Sequence, residues 1–339
     1  MRAALVQGAF GLERLVVGAV DPPAPGPNQV LLRVRAASLN YRDLLVLKGE
    51  YNPRYPLPLI LGSDACAEVV GFGPDGEQSG LSLGDRVCPL MVQGWFDGPP
   101  PRSATRATLG GPLPGVFAEY VVARSDSVLR VPDYLDDVEA ACLPCAALTA
   151  WSALKTLAPI AAKETVLTLG TGGVSLFALQ IARLSGARVL STSRDPKKRA
   201  RLLELGADAA LDSSEPGWGR KARALCADEG AEHVVEVGGA STLGESFAAV
   251  RPGGTISLIG VLSGKEAALN LLPLVMRNVR LQGVFVGHQR SLSELLSAFA
   301  KSSLHPVVDS VYGLSEVDQA LARLDSGQHF GKVCLRIAQ

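Results

Sequence analysis

The sequence predicts an α/β protein in two parts, a doubly wound parallel sheet in the middle of the chain and a β-rich, barrel-like unit before it. Short apolar strands separated by Pro/Gly turns fill roughly the first 125 residues. Strands and helices then alternate from about residue 137 to about residue 287, as in a parallel sheet with helices on both faces. Within that region, the segment 164–183 places an apolar strand directly before a glycine-rich turn that opens a helix.

Composition and charge limit the possible partners. The chain has 339 residues, 47% of them apolar, which is enough for a large core. Its 33 basic residues balance its 33 acidic residues, so nucleic-acid binding has no electrostatic basis. The N-terminus lacks a signal-peptide pattern, and Gly and Thr interrupt the apolar run 166–182. We therefore expect a cytoplasmic protein with no membrane partner and a small-molecule substrate.

The six cysteines predict reduced thiols. They are scattered along the chain, without the dense even spacing of a secreted disulfide framework. Cys142 and Cys145 form a C-x-x-C pair, but the pair lies in an alanine-rich helical stretch. We interpret both as small buried side chains rather than as a redox or zinc site.

The β-rich unit is predicted from alternating strands at 29–36, 66–71 and 117–122. The Gly/Pro-rich segment 93–114 predicts a long loop, either mobile or at the rim of a site. The C-terminal tail alternates helix and strand patterns, and we expect it to pack back on this unit. The predicted domains are 1–128 with 290–339, and 129–289, with a cleft between them.

The glycine turn predicts a nucleotide-binding unit. Gly170, Gly172 and Gly173 permit a tight turn in which backbone N–H groups, including those of Thr171 and Val174, approach a pyrophosphate at the positive end of the next helix. A glycine turn in another kind of α/β unit is the alternative, since the third fingerprint position is a serine. A second strand about 20 residues on, at 186–193, favours the nucleotide site.

The order of motifs along the whole chain resembles the medium-chain dehydrogenase/reductase superfamily, and within it the zinc-free, quinone-oxidoreductase-like and alcohol dehydrogenase-like branch. The resemblance rests on eight motifs in order: Asn40-Tyr-Arg-Asp43, Leu61-Gly-Ser-Asp64, Gly84-Asp-Arg-Val87, Phe117-Ala-Glu-Tyr120, Leu143 to Trp151, the glycine turn, Leu205-Gly-Ala-Asp208 and Phe330-Gly-Lys-Val333. It implies a GroES-like domain closed by the C-terminal tail, a Rossmann domain, and a homodimer or tetramer.

The resemblance also implies that no metal is bound. Zinc-dependent members carry Cys where Asn40 stands, Gly-His-Glu where this chain has Gly62-Ser63-Asp64, and a four-cysteine lobe in the region 93–114, which here has no Cys. Thiolate or imidazole ligation cannot be built from these residues. Without a metal, reduction of a quinone or a conjugated enone by a nicotinamide hydride is the easier reaction, because hydrogen-bond donors alone can stabilise the resulting oxyanion.

Three residues are candidates for contact with the substrate. Tyr51 matches a tyrosine that lines the cleft in quinone-oxidoreductase-like members, and Tyr41 is the other candidate proton donor. Asn40 is expected to contact the nicotinamide or the substrate. A surface-loop tyrosine is an equally weighted interpretation of Tyr51, because Asn52-Pro53 indicates a turn. Arg42 and Asp43 are expected to form only a local ion pair that holds the loop.

The ends of successive strands supply further cofactor candidates, because an open α/β sheet binds its ligand there. These are Gly238, Ile259, Gly260, Val261, Phe285, Val286 and Gly287. The resemblance adds Thr149, near the ribose or phosphate, and Lys332, in a loop that reaches the nicotinamide end. For Thr149 and Lys332, a helix-surface threonine and a solvated lysine are the alternatives.

The second strand favours NADP(H) over NAD(H). An NAD site needs an acid at the end of this strand, and the chain has Ser193 and Arg194 there. Asp195 comes too late and is better explained as a helix N-cap. Ser193, Arg194 and Lys198 can bind a 2′-phosphate, with Arg199 among the neighbouring basic residues that add positive potential. A solvated basic helix face is the alternative.

The segment 279–287 is predicted to be the last strand of this sheet and a homodimer contact. If it lies at the edge, its unpaired N–H and C=O groups can pair with the same strand of a second copy. A helix or the tail covering the edge is the alternative. The predicted function is a zinc-independent, NADPH-dependent quinone or enone/alkenal reductase. An alcohol dehydrogenase, an enoyl-thioester reductase and a low-turnover nucleotide-binding interaction protein are the other candidates.

Overall fold

The computed structural model describes residues 1–76 and 80–337, and the chain forms two compact units. The first unit comprises Met1–Ala146 with His288–Gln339, and the second comprises Ala147–Gly287.

The strands, in chain order, are β1 (Arg2–Val6), β2 (Leu15–Ala19), β3 (Gln29–Ser38), β4 (Leu59–Ile60), β5 (Asp64–Phe72), β6 (Arg86–Pro89), β7 (Tyr120–Arg124), β8 (Val128–Arg130), β9 (Thr165–Leu169), β10 (Arg188–Thr192), β11 (Ala209–Leu211), β12 (Ala231–Glu236), β13 (Val250–Leu258), β14 (Arg280–Gly283), β15 (Val308–Gly313) and β16 (Lys332–Arg336).

The α-helices are α1 (Tyr41–Leu47), α2 (Asp137–Ala141), α3 (Leu148–Trp151), α4 (Gly173–Leu184), α5 (Pro196–Glu204), α6 (Trp218–Ala224), α7 (Leu243–Ala249), α8 (Leu272–Met276), α9 (Gln289–Ser302) and α10 (Val317–Asp325). None of the helices in the described parts of the chain combines the length and the apolar character that a membrane crossing requires.

The first unit is built on a seven-stranded sheet with the order β15-β16-β3-β5-β6-β8, in which β7 also pairs with β3. Its long central strand β3 alternates half-buried and buried side chains, as expected for a strand with one face on the core. The tail strand β16 pairs antiparallel with β3, so the C-terminal segment is part of this sheet. The predicted closure of the β-rich domain by the tail is confirmed.

The boundary between the units differs from the one predicted at residue 128. Helix α2 packs against β3 and β5 of the first unit, and its side chains Val138, Ala140 and Ala141 are buried. Asp136 and Glu139 form a capping box that starts this helix shortly after β8. The first unit therefore runs on to Ala146, and the second begins at Ala147.

The second unit contains six parallel strands in the order β11-β10-β9-β12-β13-β14. The central strand β9 is buried along its whole length, because helices cover both faces of a doubly wound sheet. Strand β14 lies at the edge of the sheet, the condition on which the predicted dimer depends, but it is shorter than predicted. Pairing ends at Gly283, and Val286 has a left-handed backbone with φ of 46°.

Candidate active site

The glycine turn joins β9 to α4. Gly170 has φ of 73°, a conformation that costs other residues energy, and α4 begins at Gly173 after the N-cap Gly172. The N–H groups of the first turn of a helix have no partner within that helix, so this end suits an anion. Ser175, at the third fingerprint position, is buried, and its hydroxyl donates to Leu169 O at 2.6 Å. In the usual fingerprint, a third glycine at this position lets the helix pack closely on the strand. Here the hydrogen bond of Ser175 joins α4 to β9 instead.

The residues predicted to read a 2′-phosphate follow directly after β10. Ser193 is buried, Arg194 is exposed, and Lys198 is half-buried in the first turn of α5. Asp195 caps α5 by accepting from the N–H of Lys197 at 2.8 Å. The Asp195 carboxylate is therefore the N-cap of α5, as expected.

One basic residue of this region has a different role from the predicted one. Arg199 pairs with Asp212 at 2.7 Å and donates to Ser193 O at 2.9 Å. Asp212 offsets the charge that Arg199 was expected to add to the positive potential. Arg199 instead holds the Ser193 loop in place.

The strand ends of the second unit are shaped by a residue that the sequence analysis missed. Glu236, fully buried at the end of β12, accepts from the N–H groups of Gly238 and Gly239 at 2.7 and 3.0 Å, and from the Thr242 hydroxyl at 2.7 Å. The Gly238 loop is therefore fixed by a carboxylate. Its signal in the sequence is an acidic residue that follows Val234 and Val235 at the end of a strand.

The other strand-end candidates split into two groups. Ile259 is half-buried and Val261 is exposed, while a side chain at Gly260 would overlap the carbonyl of Val237. Phe285, Val286 and Gly287 lie beyond the end of β14, so their placement in a strand is wrong. A side chain at Gly287 would overlap Ser152 and Leu148, which places this glycine against α3. Thr149, buried in that helix, is not the helix-surface threonine of the alternative interpretation.

In the first unit, Lys332 and Asn40 form the centre of a buried polar cluster. Lys332 is only 4% exposed, and its ammonium donates to Asn40 Oδ1 at 2.7 Å and to Leu39 O at 2.6 Å. Asn40, the N-cap of α1, also brings its Nδ2 to 3.4 Å from Ser63 Oγ. The solvated interpretation of Lys332 is wrong, since β16 holds this residue inside the unit.

Two fully buried carboxyl groups surround this lysine. Burial raises the pKa of Asp43 to about 6, against a smaller opposing effect of Arg42, and the Asp43 carboxylate accepts from the backbone N–H of Asn40 at 2.8 Å. Burial also raises the pKa of Asp64, and the charge of Lys332 partly opposes this rise. The Asp64 carboxylate accepts from the backbone N–H of Cys145 at 3.2 Å. Positive and negative groups thus balance in the interior.

Arg42 links this cluster to Tyr51. Its guanidinium lies 5.1 Å from the centre of the Tyr51 ring and 3.9 Å from Asp43, and it donates to Leu109 O at 2.9 Å. Arg42 therefore does more than form a local ion pair, because it ties α1 to the loop at 109–111. Tyr51 is 38% exposed and Tyr41, the first residue of α1, is exposed to a similar extent.

The residues around Asn40 do not fit a zinc ion. Asn40 and Ser63 offer an amide and a hydroxyl, and the Lys332 ammonium already occupies the amide oxygen and would repel a cation. Among the described residues, no group of three or more His, Cys, Asp and Glu side chains is arranged to hold a metal.

The two cysteines of the C-x-x-C pair do not contact each other as a redox pair would. Burial raises the pKa of the Cys145 thiol to about 12, and the buried Cys142 thiol lies 3.5 Å from the thiol of Cys334.

Comparisons with known proteins agree with this architecture. The family model described as alcohol dehydrogenase GroES-like domain matches residues 26–133, and the one described as zinc-binding dehydrogenase matches residues 173–301. A zinc-type alcohol dehydrogenase-like protein of Schizosaccharomyces pombe is 36% identical over 323 residues, which cover 93% of each chain.

Two solved structures have the same fold. A putative alcohol dehydrogenase from Sinorhizobium meliloti 1021 is 39% identical, with a TM-score of 0.93 over 99% of this chain and 98% of the other. A mycobacterial protein complexed with NADPH is 27% identical, with a TM-score of 0.85 over 99% of each chain. The nucleotide turn and the matches over nearly the whole length lead to one conclusion: the chain is an NAD(P)H-dependent oxidoreductase and belongs to the medium-chain dehydrogenase/reductase superfamily.

Proposed function

We propose that this protein is a zinc-independent, NADPH-dependent reductase that transfers hydride to a quinone or to a conjugated enone or alkenal. The observation that carries the proposal is the cluster of Asn40, Ser63, Asp64 and Lys332. It supplies hydrogen-bond donors and a buried positive charge where zinc-dependent relatives carry metal ligands. Bound NADPH would supply the hydride.

The residues of the first unit suit reduction better than alcohol oxidation. Oxidation of an alcohol needs removal of a proton that is very hard to take without a metal. Reduction of a conjugated carbonyl or a quinone places negative charge on an oxygen, which hydrogen-bond donors stabilise directly. Asn40 is the proposed donor at this oxygen, and the Tyr51 or Tyr41 hydroxyl, or water, is the proposed proton source.

A substrate panel with NADPH tests this function. We expect consumption of NADPH with quinones or with enones and alkenals, and little with saturated aldehydes or simple ketones. Turnover of saturated carbonyls alone would support an alcohol dehydrogenase, and turnover of enoyl thioesters alone would support an enoyl-thioester reductase. Tight NADPH binding with no turnover of any of these compounds would support the interaction-protein alternative.

We further propose that Ser193, Arg194 and Lys198 select NADP(H). Arg194 is exposed directly after β10, and no acid at the strand end is available for ribose hydroxyls because Asp195 caps α5. We expect the double variant Arg194→Ala/Lys198→Ala to weaken NADPH binding by about 1.5 to 3 kcal/mol, since charged hydrogen bonds to phosphate are lost. NADH binding should change little. Equal losses for both cofactors would show that these side chains do not bind the 2′-phosphate.

We also propose a homodimer through the edge strand β14. The N–H of Val284 donates to Leu258 O within the chain, so the alternate residues Leu281 and Gly283 turn their N–H groups outward. Leu281 is exposed, as are Leu272, Val275 and Met276 of α8, which precedes the strand. Two copies related by a two-fold axis would pair these edges and cover this apolar surface.

The mass in solution tests this assembly. We expect sedimentation at micromolar concentration to give twice the mass of one chain. Leu281→Pro should give folded monomers, because its outward N–H is not used within the chain, and the exposed Arg220→Ala is a suitable control. A wild-type species with the mass of one chain would refute the dimer.

A further inference from the structure

The two ends of the Asn40 side chain differ in what they offer a ligand. An amide presents either its oxygen, an acceptor, or its NH2 group, a donor of two hydrogen bonds, and the two are nearly equal in shape. A residue that fixes the amide orientation therefore decides whether the site stabilises a negative or a positive charge. In this chain Asn40 is half-buried.

Lys332 fixes this orientation. Its Nζ lies 2.7 Å from Asn40 Oδ1, and an ammonium group only donates hydrogen bonds, so the amide oxygen must face the lysine. The NH2 group then faces the opposite way, toward Ser63 Oγ at 3.4 Å and the carboxyl group of Asp64. Because the bond to Ser63 is long, a ligand oxygen can still compete for an N–H of Asn40.

The lysine is itself held on two sides. Its backbone N–H donates to Val307 O at 2.9 Å, and its ammonium also binds Leu39 O, immediately before Asn40. The neighbouring carboxyl groups of Asp64 and Asp43 are fully buried and compensate the positive charges of Lys332 and Arg42. A buried ammonium with these partners is rigid and stays in place during a reaction.

We propose that Lys332 is a positioning residue, which holds the Asn40 amide with its NH2 group outward as the hydrogen-bond donor to the oxygen that becomes negative during reduction. This inference rests on the proposed function and deepens it. The positive charge of Lys332, one amide away from that oxygen, polarises the amide and strengthens its N–H bond to an oxyanion.

In the proposed step, Asn40 donates a hydrogen bond to the oxygen that receives negative charge. A hydride, with its electron pair, forms a new C–H bond at the β-carbon of the enone, and NADPH becomes NADP⁺. The π electrons of the C=C bond move to form an enolate, whose oxygen accepts the Asn40 N–H bond. A proton from water or tyrosine then completes the saturated ketone. Asn40 and Lys332 keep all their protons, so both act by electrostatics alone.

Kinetics of three variants test the assignment. Asn40→Asp keeps the contact with Lys332 and the N-cap but removes the N–H donors, so we expect kcat to fall by about 10²-fold to 10³-fold. Lys332→Met should lower kcat with little change in KM, because the lost interaction forms in the transition state. Lys332→Arg should restore part of kcat. The exposed Lys301→Met is the matched control, and NADPH affinity should be the same in all four proteins.

A binding measurement tests the same geometry without turnover. 4-Nitrophenol resembles an enolate when ionised, and its colour reports its protonation state. We expect the complex of wild-type protein with NADP⁺ to bind the phenolate in preference to the phenol, which lowers the apparent pKa of the bound compound. Asn40→Asp and Lys332→Met should abolish this preference, whereas Lys301→Met should keep it.

The outcomes separate the two levels of the proposal. A wild-type protein that reduces no quinone or enone but binds the phenolate in an Asn40-dependent and Lys332-dependent way would overturn the proposed function and support the positioning role. A wild-type protein that shows no phenolate preference would overturn the positioning role, as would Lys332→Met and Asn40→Asp variants with wild-type kcat.

Discussion

The two units hold their candidate sites by different means. In the second unit, the nucleotide turn depends on backbone geometry, with Gly170 in a left-handed conformation and the N–H groups of the first turn of α4 free of helical partners. In the first unit, the site depends on buried charged side chains from distant parts of the sequence, with Lys332 of β16 bound to Asn40 before α1. The comparison shows that one candidate site is built from backbone shape and the other from buried charged side chains.

Loss of the charge balance in the first unit should reduce stability the most. Lys332→Met leaves Asp64 and Asp43 buried with only Arg42 to compensate them, and removing one partner of a buried ion pair costs about 3 to 5 kcal/mol. Urea unfolding at pH 8 measures this loss. The exposed Lys301→Met should stay within about 0.5 kcal/mol of the wild type. Equal stability of both variants would mean that Lys332 does not balance the acids.

This difference between the units explains what the sequence could and could not reveal. The nucleotide turn is local, because strand, Gly170 and helix follow one another in the chain, so its pattern was visible at once. Lys332 lies beside Asn40 because β16 pairs with β3, and no local sequence pattern encodes this long-range contact. The resemblance places Gly331-Lys332 in a loop that reaches the nicotinamide end, but it does not show that Lys332 binds Asn40. Glu236 has no specific signal, because the same strand also contains Glu232 and His233.

The stability of the protein should also depend on pH through Asp43. Burial raises the pKa of Asp43 from 3.8 to about 6. Between these values the folded state binds the proton more tightly than the unfolded state, so this residue's contribution to stability is present below about pH 4 and is lost as pH rises to 6. Asp43→Asn removes the effect. We therefore expect the stability of the variant relative to the wild type to rise by on the order of 2 to 3 kcal/mol between pH 4 and pH 7.

Urea unfolding of both proteins at several pH values measures this difference. The exposed Asp133→Asn, in the same unit, is a control that should show no such rise. A constant difference between wild type and Asp43→Asn across this range would contradict the account of a desolvated carboxyl group.

A change in the backbone site of the second unit should cost less stability than the two changes in the first. Gly170→Ala places a side chain at φ of 73°, which costs about 1 to 2 kcal/mol of stability, and it should also weaken NADPH binding by obstructing the approach of the pyrophosphate. Gly327, with φ of 65°, lies in the first unit, and a Cβ at either glycine meets no atom within 4 Å. Gly327→Ala should lose similar stability and keep NADPH affinity. Fluorescence titration with NADPH decides whether the turn holds the cofactor.

Elemental analysis, combined with a rate measurement, tests whether buried charge in the first unit takes the place of a metal. The purified protein is analysed for zinc, and NADPH-dependent reduction of a quinone or enone is followed before and after dialysis against a chelator. The account predicts no stoichiometric zinc and an unchanged rate, because Lys332 and Asn40 stabilise the oxyanion. One or more zinc ions per chain, with activity lost on removal and restored on addition of zinc, would contradict it.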